Sequence, residues 1–198
     1  MPAFDLVRLR TERLLLRPLR DADADALLAI FSDARVMRYW STPPWASIER
    51  AHAAIDSDRE ALAAGQHLRL GLERADDHAL IGTCTLFNLN VQCRRAELGY
   101  GLAVSAWGKG YMHEALVALL GHGFRELDLN RVEADIDPAN LASARSLERL
   151  GFTREGHLRE RWIVDGVVSD TALYGLLRSD WSHGDASTPT AKAVRRPA

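Results

Sequence analysis

The alternation of apolar and polar positions is clearest in Ala96–Met112, AELGYGLAVSAWGKGYM. Leu98, Tyr100, Leu102 and Val104 alternate with Glu97, Gly99, Gly101 and Ala103, and a period of two predicts a strand with two distinct faces. Ser105-Ala106-Trp107 breaks the pattern and Gly108-Lys109-Gly110 marks a turn. Met112, Ala115, Leu116, Leu119 and Leu120 then recur at helical spacing. Upstream, Thr11–Leu19 reads as a strand. Asp21 caps a helix to Phe31 with Ala24, Leu27, Leu28 and Phe31 inward, and Asp23 and Asp25 suit its positive end. Val36–Trp45 reads as a loop. Ser47 opens a second helix with Ile48, Ile55 and Leu62 on one stripe and Gly65 at its end. His67–Arg74 and Leu80–Leu89 read as a hairpin around Ala75–His78. Downstream lie a strand at Arg131–Asp137 and a helix at Ala142–Leu150 closed by Gly151, with Phe152 packed beneath. Leu158–Val164 and Val167–Leu176 are joined by Asp165-Gly166, a strong two-residue hairpin signal.

The order is strand, two helices, three strands, helix, strand, helix and a closing hairpin. The passage from the central strand through the long helix to Arg131–Asp137 is a crossover, so those two strands should be parallel and the remaining pairs mostly antiparallel. The fold class expected is α/β, a mixed sheet with helices on both faces. The 198 residues suffice for one domain over 1–181. Residues 182–198 are rich in Gly, Ser, Thr, Pro and Ala without periodicity, and read as a disordered tail.

Composition adds exclusions. A net charge of −2 gives no field favouring nucleic acid or a membrane. No apolar run spans a bilayer and the N-terminus lacks a secretory apolar segment, so a cytoplasmic protein is the default. Cys84 and Cys93 match no metal spacing, and Cys84 sits in an apolar strand as a reduced core residue. The glycine turn opens a helix, whose first amides are unpaired and whose dipole is positive there, so an anion such as phosphate can approach. It is not a P-loop, because Gly110 rather than Ser or Thr follows Lys109. Nor is it a dinucleotide fingerprint, because His113 stands where a third glycine is needed. A tight turn without a ligand gives the same pattern, and Lys109 suits a phosphate contact or solvent equally.

Five pieces in order carry a resemblance. They are Thr11-Glu12-Arg13-Leu14-Leu15-Leu16-Arg17, Glu97-Leu98-Gly99-Tyr100, Trp107-Gly108-Lys109-Gly110-Tyr111, Asn130-Arg131-Val132, and Asn140-Leu141-Ala142-Ser143 followed by Leu150-Gly151-Phe152. Together, from about Thr11 to Trp181, the chain resembles the GCN5-related N-acetyltransferase (GNAT) superfamily and within it the RimJ/RimL-like branch. The resemblance implies a twisted, mostly antiparallel sheet whose central parallel pair splays. It implies acetyl-CoA as acetyl donor and no metal. It implies that the pantetheine arm bonds backbone at Leu102, Ala103 and Val104, and that the diphosphate sits on amides of Gly108, Lys109, Gly110, Tyr111 and Met112. Ser105 departs from the Gln or Arg often found three residues before the first glycine.

The chemistry implied is attack of a neutral amine on a thioester, which a base assists. Glu97 is the candidate base, on a strand face otherwise lined by Gly99, Gly101 and Ala103; a solvent-facing strand glutamate is its other reading. A backbone N–H near Val104 is the family's answer to the oxyanion. The tyrosine that protonates the leaving thiolate in many members is replaced by Leu147, and Ser143 is the branch's candidate instead, a helix cap being the alternative. Asn140 either holds the pantetheine amide or serves the turn after Pro138. Tyr39, Trp40, Trp45 and Trp162 either pack on the core or shape an acceptor groove. The acceptor expected is a protein N-terminal α-amine, such as that of a ribosomal protein. The alternatives are a small amine (antibiotic, polyamine or amino acid) or a CoA-binding module without turnover. The sequence leaves the oligomeric state open, a homodimer included.

Overall fold

The computed structural model describes residues 3–182. Eight strands form one sheet in the order β1-β2-β3-β4-β5-β6-β8-β7. They are β1 (Leu9–Arg10), β2 (Leu14–Arg17), β3 (Leu68–Arg74), β4 (Leu80–Asn90), β5 (Arg95–Leu102), β6 (Arg131–Ile136), β7 (Thr153–Val164) and β8 (Val167–Leu177). Five helices join them: α1 (Ala24–Phe31), α2 (Ala34–Met37), α3 (Ile48–Ala63), α4 (Tyr111–Arg125) and α5 (Leu141–Arg149). The β5–β6 pair is parallel and every other pair is antiparallel, as the crossover requires. Among the described residues no helix is long and apolar enough to cross a membrane.

Alternation fills both faces. Leu68, Leu70, Leu72, Leu86, Leu98 and Val132 pack with Leu116, Leu119, Leu120 and Phe124 of α4 and Leu147 of α5. On the opposite face α1, α2 and α3 form a separate cluster around Leu27, Phe31, Met37 and Ile55. The hairpin signal holds: Asp165 and Gly166 have φ of 48° and 79°, the two positive values a type I′ turn needs.

The structure corrects four local expectations. The expected strand Thr11–Leu19 shortens to β2, with Arg17 as its last paired residue, and the two-residue β1 precedes it. Asp21 does not cap α1; it opens a single 3-10 turn, Asp21–Asp23, and Asp23 precedes the helix. The stretch read as a loop from Val36 begins inside a short helix, α2, whose N-cap Asp33 accepts from the Arg35 amide. β5 ends at Leu102, because Val104–Ala106 turns into a 3-10 helix. The expected tail lies, beyond Ser182, outside the described residues.

What positions the site is the parting of β5 from β6. Their register covers Arg95↔Arg131, Ala96↔Val132 and Glu97↔Glu133 and stops there, although both strands continue.

Candidate active site

Backbone polarity decides what the parted strands present. The Ala103 N–H donates to the Ile81 carbonyl of β4 at 2.8 Å. Amides point alternately to either side of a strand, so Gly99 and Gly101 also face β4. Tyr100 and Leu102 direct their amides into the opening, and Val104 follows at the start of the 3-10 turn. The Leu102 carbonyl is already taken by Trp107 Nε1 at 2.8 Å. Of the three residues expected to offer backbone to a ligand, Leu102 thus presents an N–H at the opening, the Ala103 N–H is spent on β4, and Tyr100 presents an N–H beside that of Leu102.

The turn after β5 is a second cradle. Gly108 and Gly110 have φ of 72° and 81°. No neighbour lies within 4 Å of a Cβ built on Gly108, so backbone conformation alone demands glycine there. Gly110 is the N-cap of α4 without a side-chain cap, and the first helical bond runs from the Glu114 N–H to the Gly110 carbonyl. Tyr111 and Met112 open α4, where the amides have no intrahelical acceptor, and the glycine turn Gly108-Lys109-Gly110 leads directly into them. A glycine turn at a helix N-terminus fits a diphosphate.

Glu97 and the residues of α5 lie on opposite faces of β5, beside the opening. Asn88 Nδ2 donates to Glu97 Oε1 at 3.0 Å. Asn88 reaches it from a bulge, where the β4–β5 register shifts between Phe87 and Asn90 and its φ is 49°, a conformation asparagine tolerates. One carboxylate oxygen is thus held, and Glu97 lines the cleft. The glycine floor beside Glu97 is only partly open. A Cβ on Gly101 would come within 3.0 Å of Trp40 and 3.1 Å of Phe31, whereas at Gly99 only Phe87 is near, at 3.4 Å.

On the other face Asn140 is the N-cap of α5 and accepts from the Ser143 amide. Capping therefore falls to Asn140, and the buried Ser143 hydroxyl is used elsewhere. It shares a hydrogen bond of 2.6 Å with the Tyr100 hydroxyl, across the opening. Burial pushes the Tyr100 phenol up to about 12, which the bond to Ser143 only partly offsets. Tyr100 was not singled out by sequence, because its place in the alternation matches Leu98 and Leu102. Leu147, where a tyrosine acid was sought, is fully buried.

The aromatics combine both sequence readings. Trp40 packs edge-on and Trp45 tilted against Phe31, with ring centroids at 5.3 and 4.9 Å, and both also line the cleft beside Tyr39. Trp162 enters from β7, its Nε1 donating to Thr171 Oγ1 at 3.1 Å. The cleft holds about 1870 Å³, roughly twice the upper end of a ~300–1,000 Å³ small-ligand pocket. That leaves room for two reactants.

Comparison with known proteins agrees. Residues 13–153 match the acetyltransferase (GNAT) domain family. The chain is 30% identical over 187 residues to the ribosomal protein uS5-alanine N-acetyltransferase of Escherichia coli, spanning 90% of this chain and 94% of that one. RimJ of Mycobacterium smegmatis in complex with CoA-disulfide superposes with a TM-score of 0.81 at 25% identity, over 90% of this chain and 91% of that one. Spermidine N-acetyltransferase from Vibrio cholerae, in complex with CoA and spermine, gives 0.76 at 25%, over 86% and 98%.

Proposed function

The chain belongs to the acetyltransferase (GNAT) family and is an acetyl-CoA-dependent N-acetyltransferase, and from that premise we propose that it acetylates a protein N-terminal α-amine, such as that of a ribosomal protein. The observation that carries the reading is the placement of Glu97 and the Ser143–Tyr100 pair on opposite faces of one strand where the sheet opens. The amine approaches from the Glu97 side and the thioester lies in the opening. Glu97 takes the amine's proton, directly or through water. The nitrogen lone pair attacks the carbonyl carbon, and the Val104 N–H receives the developing oxyanion. Collapse forms the amide, breaks the C–S bond and leaves a thiolate. The Ser143 hydroxyl donates to it from the opposite side, with Tyr100 behind. Both substrates are bound together and the transfer is direct.

An α-amine favours this arrangement. Its ordinary pKa of about 7.7–8.0 leaves an appreciable neutral fraction near pH 7, against about 10.4 for lysine, so one modest base suffices. Tyr39, Trp40, Trp45 and Trp162 line the acceptor side and suit an extended chain end. Kinship to an enzyme named for ribosomal protein uS5 alanine supports the same class; the cytoplasm supplies both acetyl-CoA and nascent ribosomal proteins. Likeness to a spermidine acetyltransferase supports the second reading, a small amine, since one fold serves several acceptors.

A competition assay decides. Peptides with a free N-terminus, the same peptides N-terminally blocked but carrying lysine, and a panel of polyamines and aminoglycosides are offered with acetyl-CoA. The acetyl group is then located by mass spectrometry. Label on free peptide N-termini is expected. Efficient acetylation of a small amine, with none at any free N-terminus including those of ribosomal proteins, moves the assignment to the second reading.

A further inference from the structure

The segment Thr11–Arg17 supplies none of the groups used above, yet its first residues meet the cofactor turn. The loop between β1 and β2 lies against the first turn of α4. Thr11 Oγ1 and the Arg13 amide donate to Glu114 Oε1 at 2.6 and 2.8 Å, and Arg13 Nε donates to Oε2 at 2.7 Å. A second guanidinium nitrogen of Arg13 is 2.7 Å from the same oxygen. Its third nitrogen donates to the Lys109 carbonyl at 2.9 Å, and the group lies over the Tyr111 ring at 4.6 Å. A Cβ on Gly110 would touch Arg13 at 3.4 Å. One side chain thus holds the acid of the helix's first turn and a carbonyl of the glycine turn together.

The electrostatics set a problem that this contact solves. A carboxylate in the first turn stabilises the helix dipole, but it also repels an anion bound at the same N-terminus. We propose that Arg13 tunes the affinity of the turn for the diphosphate of acetyl-CoA. It cancels the charge of Glu114, and it draws the Lys109 carbonyl aside so that the amides of Gly108 to Met112 face outward. The inference rests on the reading that this turn takes the diphosphate. Arg13 touches no reacting atom in it and is a positioning residue. Its effect falls on cofactor affinity and on KM for acetyl-CoA, with kcat unchanged.

Calorimetric titration of the full chain with acetyl-CoA tests it, with thermal melts to confirm folding. Arg13→Ala should bind roughly tenfold more weakly, the scale of one poorly screened charge. The double variant Arg13→Ala/Glu114→Gln should recover most of that loss, because the uncancelled charge is gone. A strut without an electrostatic role gives the opposite, a double variant no tighter than Arg13→Ala, and that result overturns the inference. Glu114→Gln alone, which keeps the arginine and frees it beside the turn, should bind at least as tightly as the wild type; weaker binding also overturns it. This variant carries the test if Arg13→Ala does not fold. Gly110→Asp separates the two levels. If it abolishes binding while Arg13→Ala is silent, only the role of Arg13 is lost. If both are silent, the diphosphate is not on this turn and the reading beneath falls too.

Discussion

Glu97 and Tyr100 are three positions apart, and their roles diverge because of the strand period alone. Glu97 falls on the acceptor face and Tyr100 on the face of α5. Glu97→Gln keeps the contact to Asn88 and loses the proton acceptor. Turnover should fall by ~10²–10⁴-fold near neutral pH, the range for a positioned base. It should recover in part at higher pH, where more amine is already neutral, and a rate–pH series reads both effects. Wild-type rates throughout would remove Glu97 from the mechanism. Ser143→Ala should slow turnover by about 10²-fold while acetyl-CoA still binds, and Tyr100→Phe by about tenfold, since it strips one hydrogen bond from the donor. With its phenol at about 12, Tyr100 stays protonated through the assay range, so its removal should scale the rate–pH curve without shifting it. A shifted curve would mean that Tyr100 itself titrates in the reaction. Glu97 and Ser143 were visible in the sequence because their motifs carry them. Asn88 and Tyr100 were not, because bonds such as Asn88 to Glu97 and Tyr100 to Ser143 link strands and helices with no fixed spacing.

At the scale of elements, β2 and β3 are joined by a buried ionic knot. Arg17, one-twentieth exposed, donates to Asp23 at 2.7 and 2.8 Å and to Glu73 at 2.6 Å. Arg20 adds its amide to Asp23 and a guanidinium nitrogen to Glu73. Burial would raise both carboxylates, but the hydrogen bonds and charges of Arg17 and Arg20, with a hydrogen bond from His78 to Glu73, outweigh it and hold both below their usual range. A carboxylate lowered on folding contributes stability that is present above its unfolded value, about 4, and is lost as pH falls through the folded value. Urea midpoints should therefore drop on acidification below about pH 4, and Arg17→Met should flatten that dependence. The same variant should cost ~3–5 kcal/mol at pH 7, because two buried carboxylates lose their buried counter-charge and keep only the exposed partners around them. A midpoint unchanged at pH 7 would show that water replaces the arginine. The sequence signalled β2 by its leucines but gave Arg17 no role. A charged residue ending an apolar strand usually faces solvent, and only the return of β3 beside it makes the site a buried one.

The whole molecule is a sheet of two parts, β1 to β5 and β6 to β8, paired at three positions and otherwise linked by α4 and the packing around it. The strand pattern and the crossover made this architecture legible. The extent of the opening was not, since β5 and β6 both read as continuous strands and the gap depends on where their register stops. In the proposed complex acetyl-CoA fills that gap and bonds the exposed edge of β5, so it takes the place of the missing sheet contacts. Saturation at a hundredfold excess over Kd should then stabilise the fold by about 2.7 kcal/mol through mass action, seen as a raised Tm. Hydrogen exchange resolved to single amides gives a sharper test. The amides of Tyr100 and Leu102 face the opening and should slow strongly on adding acetyl-CoA. Those of Gly99 and Gly101, which alternate with them in sequence, already face β4 and should change little beyond the global gain. Protection alternating along one strand is the signature of a ligand bonded to its edge. Uniform protection of all four amides, or protection confined to the glycine turn, would place the pantetheine arm away from β5 and remove the oxyanion role of Val104 with it.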